Sequence, residues 1–272
     1  MLLAIDIGNT NIKLGVYDGE RLVRNWRLAT ERHTLADEYA ALINNLLAMA
    51  GLDARQIDGC VISCVVPPLT GQFRELCRVY LHVEPVMLSA GIPTGLRYEI
   101  DAPHELGADR IANALATYRH YGGPAIAIGF GTATIFDVVS ADGAYIGGAI
   151  APGLGISADA LFRLAARLYQ VELIRPQRVI GKNTAEHLQA GLIVGYAGLV
   201  EGLVRRMQAE LGGPCPVVAT GGLADQIAGE TDVITVVDPN LTLEGLRLIY
   251  EMNDGRIRVK DGERKPNARH AL

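Results

Sequence analysis

An aspartate interrupts the apolar run of AIDIGNTN and is followed, after Ile7, by Gly8, Asn9, Thr10 and Asn11. Glycine at a strand-to-strand turn leaves backbone N–H groups unobstructed, and short polar side chains beside it suit phosphate oxygens. A carboxylate repels a bare phosphate. Asp6 therefore implies either a metal ion bridging carboxylate and phosphates or a tight hairpin whose turn Asp6 itself bonds. The same frame returns at residues 127–134 as AIGFGTAT, with Gly131, Thr132 and Thr134, and with Gly129 where the first copy has Asp6. Two such turns facing each other would clamp a nucleotide. A third glycine turn, ATGGLA at 219–224, would let the flat face of a base or ribose approach the backbone.

ELGADRIANA contributes Asp109 and Arg110 near a predicted helix start. A carboxylate there is commonly a cap. As chemistry, Asp109 would accept a proton from an attacking hydroxyl while Arg110 holds an anionic group, a modest contribution to phosphoryl transfer, which depends mainly on positioning and charge neutralisation. Gly181-Lys182 lacks the glycine five residues before Gly181 that a G-x-x-x-x-G-K-[ST] loop requires, and no G-x-G-x-x-G opens a helix after a strand. Cys60, Cys64, Cys77 and Cys215 show no metal-ligand spacing, and Cys60 and Cys64 read as buried thiols.

The elements that must position these residues come in two similar series. LLAIDIG, IKLGVYDG and LVRNWRLAT read as three strands, followed by a helix from Thr34, with Thr34 and Asp37 as a capping box, and by strands in GCVISCVV and EPVMLS. Another helix is predicted from Glu105. PAIAIGFGT, TIFDVVSADG and AYIGGAIAP repeat the three strands, with Asp142-Gly143 as a hairpin turn. Helices are predicted over 157–169 and from Asn183 or Thr184 to about Leu211, then strands PVVATGG and VITVVD, and a last helix in TLEGLRLIYEMN. The long helix carries Gly191, Gly195, Gly198 and Gly202 in a stripe that would admit a close backbone, either within the chain or from a second copy.

The 272 residues slightly favour two domains, and 49% apolar with 20% charged residues is ordinary globular composition. A net charge of -5 argues against a broad basic nucleic-acid surface. MLLAIDIGNT has no basic leader segment, and the longest polar-free run, in AGLIVGYAGLV, is short for a membrane span, so a cytoplasmic protein without membrane or nucleic-acid partners is expected. Residues 254–272 hold six basic against three acidic side chains and few large apolar ones, as in a mobile tail.

DIGNTNIKLGVYDG, VISCVVPPLT, LGADRIANA, GFGTATIFDVV, GGAIAPG, IGKNTAEHLQAG and ATGGLA, in that order and spacing, resemble the type III pantothenate kinase family over essentially residues 1–253. The resemblance implies an α/β fold of duplicated ribonuclease H-like domains, the acetate and sugar kinase, Hsc70 and actin architecture. These domains would span 1–118 and 119–253, with 254–272 as the polar tail. It implies ATP-dependent phosphorylation of pantothenate on its primary hydroxyl to 4'-phosphopantothenate, the first step of coenzyme A biosynthesis.

Residue by residue, the resemblance implies a first phosphate loop made of Asp6, Ile7, Gly8, Asn9, Thr10, Asn11, Ile12 and Lys13, with Asp6 near a magnesium ion. It implies an ATP contact at Thr132 and a pantothenate segment at Gly107, Ala108, Asp109 and Arg110, with Asp109 the catalytic proton acceptor. Thr184, also a candidate helix cap, matches a substrate-contacting threonine. The family's members are usually dimers whose two subunits border the pantothenate pocket, which implies a homodimer and moves the glycine stripe toward a dimer contact. Two positions depart from the pattern. Ile100 replaces a common tyrosine by the substrate pocket, and Gly129 replaces the aspartate of D-F-G-T-A that binds an activating monovalent cation, K+ or NH4+. A kinase weakened or altered in cation dependence fits this loss, and so does a catalytically impaired paralogue acting as a ligand-binding or regulatory protein. The intact Asp6, Asp109, Arg110, Thr132 and Thr184 favour the kinase.

Overall fold

Alternating apolar residues and short polar turns make the first thirty positions a meander of β1 (Leu2–Ile7), β2 (Asn11–Asp18) and β3 (Arg21–Ala29). The chain then crosses through α1 (Ala36–Met49) to β4 (Gly59–Cys64), parallel to β1, and through α2 (Pro67–Tyr80) to β5 (Val86–Met87). The first sheet has the order β3-β2-β1-β4-β5. After β6 (Arg97–Tyr98) and α3 (Ala108–Tyr121), the second half lays down β7 (Ala125–Phe130), β8 (Ala133–Val139) and β9 (Ala144–Pro152). It then passes α4 (Leu154–Leu164), α5 (Thr184–Gln189), a π-helical turn (Ala190–Val194) and α6 (Gly195–Glu210). β10 (Val217–Gly221), α7 (Ala224–Ala228), β11 (Val236–Val237) and α8 (Leu241–Lys260) complete it. The second sheet reads β9-β8-β7-β10-β11, the same order as the first, with β6 added outside β9. This is the duplicated α/β architecture expected from the sequence. The computed structural model describes residues 1–260, with side chains through Asn253.

Alternation along β1 sorts its side chains onto two faces. Leu3, Ile5 and Ile7 pack with Tyr39, Ile43, Phe73 and Leu76 of α1 and α2, while Leu2 and Ala4 pack with Ile111 and Leu115 of α3 and Leu246 and Ile249 of α8. In β7, Ile126 and Ile128 meet the α4–α6 side, whereas Ala127 joins Ala116 and Leu241. Helices α3 and α8 thus lie between the two sheets. A Cβ on Gly245 would come within 2.0 Å of the Ala112 carbonyl oxygen, so their crossing requires a glycine. The next residues on these inner faces are Asp6 and Gly129.

Several boundaries differ from the sequence expectation. Thr34 and Asp37 form no capping box: α1 starts at Ala36, Glu38 accepts from the Leu35 N–H at 2.9 Å, and Asp37 accepts from Tyr80 Oη at 2.6 Å. The region before Asp109 is a 3₁₀ turn, Pro103–Glu105, and α3 begins only at Ala108. The helix expected over 157–169 is α4, shifted three residues toward the N-terminus at its start. α2 was not anticipated, although Pro67 and Pro68 at its first turn and Leu69, Phe73 and Leu76 on its buried face carry the signal. Cys60 and Cys77 are buried side by side, their sulfurs 3.3 Å apart. α8 runs into the segment expected to be a polar tail, and residues 261–272 of that segment lie outside the described residues. The continuous helix Thr184–Glu210 is long and apolar enough to cross a membrane by length and composition. Leu188, Leu192, Ile193, Tyr196, Val200 and Val204 nevertheless pack into the core beneath the second sheet.

Candidate active site

Cross-strand pairing sets four polar residues in one row. Ser63 on β4 is the partner of Asp6, Asp6 of Lys13 on β2, and Lys13 of Arg27 on β3. Register partners project to the same face, so Ser63, Asp6, Lys13 and Arg27 all leave the first sheet toward α3. Asp6 is 7% exposed, and among the described residues neither its Oδ1 nor Ser63 Oγ has a hydrogen bond of good geometry, although the two neighbours are close enough for the Ser63 hydroxyl to favour the Asp6 carboxylate slightly. Buried polar atoms are normally paired, so these two atoms mark a place for a ligand. Burial, reinforced by the negative charge of Asp109, raises the Asp6 carboxyl from 3.8 to about 6, against the attraction of Lys13.

The loop after Asp6 is tightly held. Gly8 N–H donates to the Asn11 carbonyl at 3.0 Å, and Thr30 reaches over to donate its hydroxyl to the Gly8 carbonyl at 2.7 Å. This leaves Asn9, Thr10 and Asn11 exposed at the tip. The corresponding tip of the second sheet is Gly131-Thr132, anchored where Gly153 N–H donates to the Thr132 carbonyl. Thr10 and Thr132 meet across the gap, their hydroxyls 2.7 Å apart. The two loops therefore face each other. In the third glycine turn, Gly221 has φ +105° and a Cβ there would fall 2.2 Å from the Phe130 carbonyl oxygen, so that glycine serves the β10–β7 approach. Gly222 is open, with Arg27 Nη1 3.7 Å from its Cβ position.

Asp109 and Arg110 occupy the first turn of α3, beside Asp6. Gly107 caps the helix, and a Cβ there would stand 2.7 Å from Asp109 Oδ1. Burial raises the Asp109 carboxyl, opposed by the Arg110 N–H that donates to it at 3.0 Å and by the charges of Arg110 and Lys13. Arg110 Nε donates to Asp137 Oδ1 at 2.8 Å, and burial raises the Asp137 carboxyl to about 6 even against that cation. Three largely buried carboxylates, Asp6, Asp109 and Asp137, stand against Lys13 and Arg110 here. Such a site favours an added cation and suits Asp109 to take up a proton. Asp6 Oδ1 and Ser63 Oγ are oxygen donors of the type a divalent magnesium ion takes, so the first row fits that ion.

The remaining expected positions are less closely joined. Ile100 is half-buried against the cluster containing Leu106, Ala108 and Tyr145, near the Asp109 segment. Thr184 is the first residue of α5, whose cap is Asn183, the acceptor for Glu186 N–H at 2.9 Å. Among the described residues no hydrogen bond or ion pair connects Thr184 with Asp6, Asp109 or Arg110. At Gly129 a Cβ would meet only Asn113 Nδ2, at 3.7 Å, so the backbone there admits a side chain's first carbon. As it stands, the position offers no carboxylate, and its strand partner Thr220 contributes one buried hydroxyl without a partner. One neutral oxygen does not fit a cation site. Ser63, Arg27, Asp137 and Tyr145 were missed in the sequence. A carboxylate inside the apolar strand TIFDVV was a usable signal, whereas Ser63 and Arg27 emerge only through register.

Comparison with known proteins shows the family. The type III pantothenate kinase family matches residues 2–206. A type III pantothenate kinase from Roseiflexus sp. (strain RS-1) is 72% identical over 253 residues, 93% of this chain and 99% of that protein. Among solved structures, a conserved Baf family protein from Campylobacter jejuni is similar with a TM-score of 0.62 at 20% identity, covering 93% of this chain and 99% of that one. The activator of 2-hydroxyisocaproyl-CoA dehydratase from Clostridium difficile, with bound ADPNP, has a TM-score of 0.56 at 15% identity, covering 96% and 97%. These two likenesses concern the fold.

Proposed function

This chain belongs to the type III pantothenate kinase family, enzymes that phosphorylate pantothenate with ATP in coenzyme A biosynthesis, and from that premise we propose how its residues divide the reaction. The carrying observation is the buried Asp6 carboxylate, whose Oδ1 has no hydrogen bond of good geometry among the described residues, set beside Asp109 and next to two facing loops. The loop from Asp6 through Lys13 takes the ATP phosphates from one side and Thr132 from the other, where exposed N–H and hydroxyl groups replace water. Asp6 and Ser63 hold a magnesium ion, which supplies neutralisation of phosphate charge. Lys13 and Arg27 add positive charge along the same row.

Asp109 accepts the proton of the pantothenate hydroxyl as its oxygen attacks the terminal phosphorus, and the bond from that phosphorus to the ADP oxygen breaks. A carboxyl raised by burial is a better proton acceptor than one at its ordinary value. Gly107 and Ala108 shape the pantothenate segment, Arg110 meets the substrate carboxylate, and Ile100 lines the apolar side. Thr184 reaches the pocket across a homodimer. In support of that dimer, Cβ atoms on Gly191, Gly195 and Gly198 would meet nothing within 4 Å, while one on Gly202 would meet Arg206 Nη1 at 3.3 Å, so among the described residues the first three positions of the stripe are open. We place the enzyme in the cytoplasm, and we infer that the missing carboxylate at Gly129 leaves it with little or no activation by K+ or NH4+.

The test is phosphoryl transfer from ATP to pantothenate by the purified protein, with and without K+ or NH4+. Product formed independently of either cation is the expected result. No product under any condition, while a control kinase turns over in the same mixtures, would instead favour the impaired paralogue.

A further inference from the structure

Arg110 lies on α3, but its guanidinium is held by the second sheet. Nε donates to Asp137 Oδ1 at 2.8 Å, Nη2 donates to Tyr145 Oη at 2.6 Å, and Tyr145 Oη donates to the same Asp137 oxygen at 2.8 Å. Asp137 on β8 and Tyr145 on β9 are each 1% exposed, whereas the Arg110 side chain keeps 18% of its surface open. The three groups close a ring in which each of the three bonds involves a charged partner, the stronger and more directional kind of hydrogen bond. Among the described residues the guanidinium makes no other hydrogen bond, so Nη1 is left to meet an acceptor.

A planar guanidinium fixed on two sides cannot swing, and it presents its remaining edge in one direction. Because Asp109 immediately precedes Arg110, the same grip also fixes the helical turn that carries the proton acceptor. We propose that Asp137 and Tyr145 are positioning residues for pantothenate, acting through Arg110 and not touching substrate. The inference rests on the reading above in which Arg110 meets the pantothenate carboxylate. It goes beyond that reading in assigning recognition of a substrate held by the first lobe to two buried residues of the second.

Tyr145→Phe is the mild test, since it keeps the packed ring and deletes one oxygen. It is expected to raise the KM for pantothenate about ten-fold and to leave the KM for ATP within about two-fold. In an Arg110→Ala background the same change is expected to add nothing, because residues acting through one another are non-additive. Asp137→Asn preserves shape without charge and is expected to act more strongly, with the same silence once Arg110 is gone. Melting temperatures accompany each measurement, and Tyr145→Phe carries the test if Asp137→Asn does not fold. Additive effects in the two backgrounds, or equal rises in both KM values, overturn the proposal and leave the ring as packing. An Arg110→Ala variant with unchanged KM for pantothenate overturns the reading of Arg110 itself, a distinct failure.

Discussion

At the same point of its two sheets the molecule has built two different floors. In the first, the penultimate residue of β1 is Asp6, flanked by Lys13 on one strand and Ser63 on the other. In the second, the penultimate residue of β7 is Gly129, flanked by Ile135 and Thr220. The hydroxyl survives in both copies, buried and without a partner in both. The carboxylate and the ammonium are found only in the first. Duplicated strands therefore supply equivalent places but not equivalent chemistry: the first floor carries a carboxylate, an ammonium and a hydroxyl, the set that the proposed cation and phosphates need, while the second offers one neutral oxygen.

Making the first floor like the second is expected to have the largest effect. Asp6→Gly, or the milder Asp6→Asn, should lower turnover by about a thousand-fold, because charge neutralisation dominates phosphoryl transfer. Near-normal kcat in Asp6→Asn would show that the two floors are interchangeable. Making the second like the first is the next step down. A Cβ at Gly129 meets no clash, and we expect Gly129→Asp to gain about ten-fold stimulation by K+ or NH4+, as a new carboxylate creates a cation site. Cation titrations that superimpose for variant and parent would refute this.

The asymmetry also predicts a pH signature in metal-free protein. The folded-state value of Asp6 is raised from 3.8 to about 6, so the folded chain retains a proton that the unfolded chain releases. Its favourable contribution is fully present below the unfolded value and is lost as pH rises through the folded one. Asp137, raised to about 6 as well, acts in the same direction, so melting temperature should fall between about pH 4 and pH 6, and Asp6→Asn should lessen that slope while Gly129→Ala leaves it intact. Identical slopes in the parent and Asp6→Asn would remove Asp6 as the cause. The smallest effect is expected from the shared hydroxyls. Thr220→Val should leave activity unchanged and stability equal or up to about 1 kcal/mol higher, since an unpartnered buried hydroxyl is costly. Ser63→Ala, beside Asp6, should lower turnover, and a reversed order in kinetic assays would contradict the comparison.

Much of the frame was legible from short-range signals. Strand alternation, the Asp142-Gly143 turn and the repeated order of three strands, helix and strand follow from local backbone preference, and the observed sheets have that order. α2 escaped notice because its paired prolines look like a break until they are seen as the first turn of a helix. The glycine stripe was ambiguous in sequence, since glycine permits close approach without saying by what. Space around Gly191, Gly195 and Gly198 excludes a neighbour among the described residues.

The repeated strand order pointed to a duplicated α/β fold, and the resemblance carried by motif order to the type III pantothenate kinase family implied a kinase and marked Asp6, Asp109, Arg110 and Gly129 as the positions to watch. Only tertiary structure decided which of them act together. Register aligned Ser63, Asp6, Lys13 and Arg27 across three consecutive strands and a fourth that returns from beyond α1. Packing of α3 between the sheets then brought Asp109 to Asp6 and Arg110 to Asp137 and Tyr145. Residue type states what a side chain can do, but hydrogen bonds and charge interactions act over a few ångströms, and contacts at that range exist only after the sheets have closed on the helices.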